Sequence, residues 1–408
     1  MRLNCWTEQS LLKLPSLRAE FLVALIGLTA LAMSVFFARP SHAETIRPQG
    51  VARHYANIVQ ASYADSLLAA LAMQRAIDRF LARPSPATHA AAKQAWIAAR
   101  EWYGQTEAFR FYGGPIDGNN GPESRINSWP VDEAYIDSVR DQPGSGIIND
   151  PSVPITKKHL SGLNQRGGEE NICAGWHAIE FLLWGQDFND AGPGDRSYED
   201  FVDGSARNAK RRRQYLKVIT GLLVDDLAQL VNEWRPSRNN YRARFVANPD
   251  EAIRLMLIGL GSLSRGELAG ERLEVPLATQ DQEDEQSCFS DNTHRDIIAD
   301  ALGIENVWLG RYRRLGGGTL QGPSLRDLVA ARDQRLADNT TTDIETTNIA
   351  ANAIQPPFDQ EIRGSDDAPG RMRIQAVIDS LKKQTEDLVL DAEALGITKL
   401  TITGSKKK

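Results

Sequence analysis

Residues 54–83 read HYANIVQASYADSLLAALAMQRAIDRFLAR. Ile58, Tyr63, Leu67, Leu68, Leu71 and Ile77 recur mostly at three- and four-residue steps, the period of one face of an α-helix. No Gly or Pro interrupts the stretch. A long amphipathic helix is therefore expected, and it must be covered by others.

The same period continues outward. Ser85-Pro86 opens a second helix, with Ser as cap and Pro at the first helical position. It passes Trp96, Trp102, Phe109 and Phe111 and stops at Gly113-Gly114-Pro115. Residues 113–170 are rich in Gly, Pro, Asn and Asp, so they read as loop with a short helix near 132–139. Further helices are expected at about 171–184 and 204–234. Asn248-Pro249-Asp250-Glu251 starts another, with two acids facing the positive helix end, and Pro276 stops it near Glu274. Helical patterns return at 291–315, 324–338, 341–354 and 371–395, broken at Gly316–Gly318 and Pro356-Pro357. No alternating strand run stands out. The fold class is all-α, with a boundary near Pro236 and the polar stretch after it, dividing residues 44–240 from 241–408.

The first 43 residues read as a secretory signal. Lys13 and Arg18 precede an uncharged stretch from Phe21 to Phe37, and Ser41-His42-Ala43 suits cleavage after Ala43. The alternative is an uncleaved anchor, since the stretch is close to the shortest that spans a bilayer. Cleavage removes Arg2, Lys13, Arg18 and Arg39 with Glu8 and Glu20, which takes 47 basic and 53 acidic residues to 43 and 51, a net of −8. Such a chain is exported to the periplasm or cell envelope and makes a poor partner for nucleic acid. The basic run at Lys210–Arg213 reads as a solvated helix edge. The acidic cluster Asp281, Glu283, Asp284 and Glu285 is more informative, because carboxylates collect cations. Cys173 and Cys288 survive cleavage, either as a disulfide or as two buried thiols.

Gly175-Trp-His-Ala-Ile-Glu180 carries the strongest chemical signal. On a helix His177 and Glu180, at i and i+3, lie on one face, where imidazole and carboxylate can converge on a cation. Gly175 permits close approach of a second backbone. The flanking Trp176 and Phe181–Trp184 imply burial, and a buried His–Glu pair needs a partner. The plain alternative is a pair that hydrogen-bonds only to itself. Arg100, Glu101, Gln105, Glu107 and Arg110 share an aromatic-rich helix. Gly259–Glu274 combines Gly259, Gly266 and Gly270, which allow close helix packing, with an acidic stripe of Glu267, Glu271 and Glu274. That stripe also reads as a solvated face partnered by Arg265 and Arg272. Ser287–His294 supplies a second histidine, His294, whose helix is capped by Asp291 or Asn292. The chain has no His-Glu-x-x-His pair, no Gly-x-Ser-x-Gly elbow, no phosphate-binding glycine loop and no Cys-x-x-Cys pair.

Gly175–Glu180, continued by Phe-Leu-Leu-Trp-Gly-Gln-Asp187, resembles the Gly-x-His-x-x-Glu signature of the imelysin family. Gln105–Arg110, Ser264–Leu273, Ser287–His294 and Ile354-Gln-Pro-Pro-Phe-Asp359 resemble further family segments, and the match looks most like the iron-regulated protein A branch. The resemblance spans nearly all of the chain after residue 43. It implies two helical bundles around a shared cleft, export, and a link to iron acquisition. It makes His177 and Glu180 metal ligands, with Glu107 and Glu267 as further ligand candidates. It places Arg110, Gly175, Trp176, Arg265, Glu271, Asp291 and His294 along the cleft. The peptidase label belongs to one branch and lacks the two-histidine zinc motif, so proteolysis is not carried over.

The leading expectation is a periplasmic metal-binding protein for iron uptake or handling. One His with carboxylates suits a divalent or ferric ion, iron first and zinc second. A membrane component of iron transport is the expected partner. The alternatives are a metallopeptidase, which needs an open coordination position and a base, and a peptide- or anion-binding module using Arg110 and Arg265.

Overall fold

The computed structural model describes residues 46–402; the signal sequence and cleavage point read at residues 1–43 lie outside them. The stretch from residue 54 sits in helix α1, Pro48–Ala82, which opens with Pro in its first turn. Its buried face is wider than the stripe expected: Tyr55, Ile58, Val59, Tyr63, Met73, Ile77 and Phe80 are buried, and Leu68 is exposed. The alanine-rich middle lets the helix be covered from two sides, by α2 (Pro86–Gly104) and α4 (Ala209–Trp234). Ser85 closes a full capping box with Thr88 at the start of α2.

Helix α2 ends earlier than Phe111. A Cβ on Gly104 would lie 2.7 Å from Ala299 of a later helix, so the chain turns where the packing is tightest. A single 3-10 turn, Glu107–Phe109, follows. Helix α3 is Trp176–Trp184, and α5 is Pro249–Ser262. From α5 the rod continues as a π-helix over Leu263–Glu274 and as α-helix over Val275–Thr279. Pro276 does not stop it, because it falls in the first turn of the last segment, where no N–H is needed. The i→i+5 register also breaks up the acidic stripe. Glu267 pairs with Arg272 at 2.8 Å, and Glu274 pairs with Lys382 at 2.6 Å and Arg265 at 3.7 Å.

Helices α6 (Thr293–Leu309), α7 (Gln334–Ala351) and α8 (Pro369–Ala394) follow, and α8 packs on α7 and on the π-helix. Between α6 and α7 stands a feature the pattern did not reveal, an antiparallel hairpin of β1 (Arg311–Arg313) and β2 (Thr319–Gln321). Three-residue strands are too short to show an alternation. The glycine run is its turn, and Asp65 on α1 anchors it, accepting from Arg314 at 2.7 and 2.8 Å and from Tyr312 at 3.1 Å.

The helical fold class is as expected. Residues 46–402 form one compact unit, and packing crosses residue 240. Arg242 donates to the Ala56 carbonyl at 3.0 Å and to Asn57 at 2.6 Å, and Phe245 stacks on Tyr55. Cys173 and Cys288 are separate buried thiols, which decides between the two readings of the pair. Among the described residues no helix is long and apolar enough to cross a membrane.

Asp137 ties the loop region to α4, accepting from Arg212 at 2.6 and 2.9 Å and from Arg196 at 2.8 Å. These guanidiniums overcome the effect of burial and hold its carboxyl at about 2, against an ordinary 3.8. A depressed acid stabilises the fold fully above its unfolded value and loses that contribution as pH falls through the folded one. About 2 kcal/mol is therefore expected to vanish between roughly pH 5 and pH 2. Urea unfolding across this range should show a shallower slope in Asp137→Asn, and an unchanged slope would refute the assignment.

Candidate metal centre

Helix α3 begins at Trp176 because Gly175 sits at φ 93° and ψ −168°, a conformation open essentially to glycine alone. A Cβ there would lie 2.5 Å from the Ile126 carbonyl oxygen and 2.6 Å from that of Arg125. All nine residues of α3 are buried. Trp176 is part of the wall, its carbonyl accepting from Trp96 at 3.0 Å, with Arg100 over its ring.

His177 and Glu180, the polar residues of this apolar helix, do meet as the i, i+3 spacing requires. His177 Nδ1 and Glu180 Oε2 are 2.8 Å apart. The other carboxyl oxygen, Oε1, accepts from the Ser290 N–H at 3.0 Å and from its hydroxyl at 2.7 Å. Both oxygens of Glu180 are thus engaged, while His177 Nε2 is buried without a partner. Burial drives the imidazole pKa well below its usual value, and the Arg100 and Arg272 guanidiniums add to that. Burial drives Glu180 well up, against the pull of Ser290. The pair is consequently a neutral imidazole beside a carboxyl that favours its proton.

His177 lines a nearly closed cavity of about 10 Å³, room for roughly one water or ion. Its other polar walls are Glu283, Glu285, Gln286 and Cys288, and Trp129–Val131 and Phe289 close it. Glu285 Oε1 and both amide atoms of Gln286 are also buried without partners. Burial raises Glu285 well above the carboxylate range, and at Glu283, whose side chain is exposed, partial desolvation with Glu133, Asp281 and Asp187 nearby pushes the carboxyl up. The acidic run singled out in the sequence thus reaches His177. Ser290 lies within the Ser287–His294 segment that the sequence marks, but its role and that of Gln286 are not readable there, since both lie over a hundred residues from His177 with no periodic pattern linking them.

Glu107 and Glu267 lie elsewhere, in an ion-paired network between the 3-10 turn, the π-helix and α6. Glu107 Oε2 accepts from Arg110 and from Arg272, both at 2.5 Å. Arg272 also reaches Asp300 at 2.5 Å, and Arg110 reaches Glu123 at 3.0 Å and Glu267 at 3.7 Å. Despite full burial, the two guanidiniums hold Glu107 at about 2. Carboxylates neutralised in this way are poor cation ligands. Arg110 is spent on three acids, Arg265 is half-exposed beside Glu274, and Glu271 is half-buried on the same π-helix.

Asp291 has φ 55°, and its carbonyl lies 3.1 Å from His294 Nδ1. Asn292 occupies the cap position of α6, but its side chain makes no capping bond. His294 does not line the His177 cavity. Among the described residues no three His, Cys, Asp or Glu side chains converge on an ion as they stand.

Residues 59–388 match the family model described as Imelysin. The chain is 24% identical over 379 residues to Iron-regulated protein A of Synechococcus elongatus, covering 89% of this chain and 93% of that protein. A crystal structure described as an iron-regulated protein A precursor from Parabacteroides distasonis superimposes with a TM-score of 0.66 at 21% identity, covering 85% of this chain and 94% of that one. An imelysin-like protein from Psychrobacter arcticum gives 0.59 at 14% identity, with the same coverage. The chain from Val59 to Leu388 carries the Gly-x-His-x-x-Glu helix in this shared fold, and the protein belongs to the imelysin family.

Proposed function

We propose that the protein is an exported metal-binding protein that handles iron, with His177 Nε2 as the nitrogen donor. The observation that carries this reading is the division of labour on the imidazole: Nδ1 is tied to Glu180, and Nε2 is buried without a partner on a residue that lines an ion-sized polar cavity. A ligating histidine characteristically gives its other nitrogen to a carboxylate, which fixes the ring. Glu180 then orients His177, and Glu285 and Gln286 supply oxygen donors. This donor set fits a first-row cation and, with a protonated thiol at Cys288, gives no soft-metal site. The link to iron is supported by the name of the cyanobacterial relative. Export is supported by the leader-like residues 1–43 and by the word precursor for the Parabacteroides protein. A membrane component of iron transport is the natural recipient.

Loading Nε2 costs a proton. With Glu180 protonated, its O–H donates to Nδ1 and the ring hydrogen sits on Nε2; with Glu180 ionised, Nδ1–H donates and the Nε2 lone pair faces the cavity. Affinity is therefore expected to rise with pH. In calorimetric titration with Fe²⁺ under anaerobic conditions and with Zn²⁺, His177→Ala and Glu180→Gln should each weaken binding by about 10–100-fold. Equal affinity in His177→Ala and wild type would place the metal elsewhere.

A further inference from the structure

The His177 cavity is nearly closed, so a cation that occupies it needs a way in. His177, Glu285, Gln286, Cys288 and Phe289 are buried walls, and Trp129–Val131 are half-buried and carry no charge. Glu283 is the exposed member of the wall. It also lines a second compartment, an open surface pocket of about 490 Å³. One carboxylate side chain therefore borders both the closed cavity and a pocket open to solvent.

The open pocket is built to collect cations. Arg140, Asp187, Asp190, Asp281 and Arg363 line it together with Glu283, four acids against two guanidiniums. Arg363 is committed to Asp190 at 2.8 Å, and Arg140 lies over the Phe188 ring at 3.3 Å. Asp281 and Glu283 are both exposed. A cleft with an excess of one charge raises the local concentration of its counter-ion and speeds association.

The partition between the two compartments is thin. It is the 3-10 turn Gln282–Asp284, none of whose residues is buried. The turn has no apolar side chain to tie it to the core. Gln282 hangs it on the Asp187 carbonyl at 2.8 Å, and Asp281 Oδ1 accepts from the Glu283 N–H at 3.1 Å. A segment held by a few exposed hydrogen bonds opens locally at low cost.

We propose that the open pocket is the entry vestibule of the His177 cavity and that Glu283 is the relay between them. A hydrated divalent cation gathers among the acids, exchanges a hydration water for the Glu283 carboxylate, and passes inward as the turn swings aside. The proposal rests on the metal-binding reading of His177. Glu283 acts on the path, and Glu285 and Gln286 hold the ion at its end.

The test is stopped-flow mixing of the full chain, after chelator treatment, with Fe²⁺ under anaerobic conditions. Quenching of tryptophan fluorescence reads the binding, since Trp129 is a wall of the cavity. Association is expected to slow about tenfold in Glu283→Gln and about threefold in Asp281→Asn, and to quicken in Arg363→Gln, which frees Asp190. The Asp281 and Arg363 effects should fade at about 1 M salt, where the screening length falls to about 3 Å. Asp338→Asn removes an exposed acid on α7, outside the pocket, and should leave the rate unchanged. Asp281 and Glu283 are exposed and Arg363 is half-buried, so these substitutions leave the fold intact. Calorimetry on His177→Ala separates the route from the site. If that variant binds Fe²⁺ as tightly as wild type, the metal lies elsewhere and site and route fall together. If it loses binding while Glu283→Gln, Asp281→Asn and Arg363→Gln all associate at the rate of Asp338→Asn, the site stands and the vestibule is overturned. Wild-type association with faster release in Glu283→Gln makes Glu283 a ligand and equally overturns the relay.

Discussion

Arg272→Met is expected to destabilise the fold by about 3–5 kcal/mol, the cost of breaking a buried ion pair from one side. The Arg272 side chain is 1% exposed and holds Glu107, Glu267 and Asp300 with bonds of 2.5, 2.8 and 2.5 Å. Methionine fills much of the same space, so the loss is electrostatic and not a cavity effect. It leaves three acids facing each other with Arg110 as the remaining cation close to Glu107 and Glu267. Burial already drives the Asp300 carboxyl well up against the pull of Arg272, so in the variant Asp300 would hold its proton more tightly still. Arg272→Lys keeps the charge but cannot reach three carboxylates at once, and a smaller loss of about 1–3 kcal/mol is expected. Arg265→Met provides the control on the same π-helix. Arg265 is half-exposed, and its pairing with Glu274 is 3.7 Å long, so it should change stability by no more than about 0.5 kcal/mol. Urea unfolding at neutral pH measures all three. An Arg272→Met loss below about 1 kcal/mol would show that the acids relax into solvent.

That contrast between two arginines on one segment marks how far the sequence could be read. The helical period was legible because an apolar face must repeat wherever a helix is buried on one side, as it does along α1. The i→i+5 register of Leu263–Glu274 was not legible. It is fixed by packing against α5 and α8, and it decides that Arg272 points inward and Arg265 outward. Glu107 and Glu267, expected as further metal ligands beside His177, share Arg272 in a network of their own, and the guanidiniums that neutralise them could not be placed from spacing. His177 and Glu180 were legible as a pair, because three residues along a helix is a local distance. Their separate roles were not, because Ser290 and Gln286 arrive through tertiary structure. The hairpin at Arg311–Gln321 carried too few residues to leave a pattern.

The second large effect is expected at Gly175. Gly175→Ala places an L-residue at φ 93°, ψ −168°, a region that costs about 1–3 kcal/mol by itself. The new Cβ would also meet the Ile126 and Arg125 carbonyl oxygens at 2.5 and 2.6 Å. Backbone oxygens cannot swing aside as a side chain can, so overpacking adds about 1–3 kcal/mol. A total near 3 kcal/mol or more is expected from urea unfolding. Gly185 at the other end of α3 separates the two contributions. It has φ 78° and ψ −169°, but its nearest neighbour is the Arg196 side chain at 3.1 Å. Gly185→Ala should therefore cost little more than the conformational part, about 1–3 kcal/mol. The excess at Gly175 is the energetic signature of the close approach between the start of α3 and the Arg125–Ile126 backbone. That approach matters to the metal reading because His177 is two residues further on. A helix start pushed off Ile126 shifts the imidazole relative to Glu285 and Gln286, whereas a disturbance at Gly185 is a full helix away from it. Iron or zinc affinity should accordingly fall in Gly175→Ala well beyond any change in Gly185→Ala. Equal affinities in the two variants would mean that the glycine of the motif serves folding alone and that the cavity is set from the Glu283–Gln286 side.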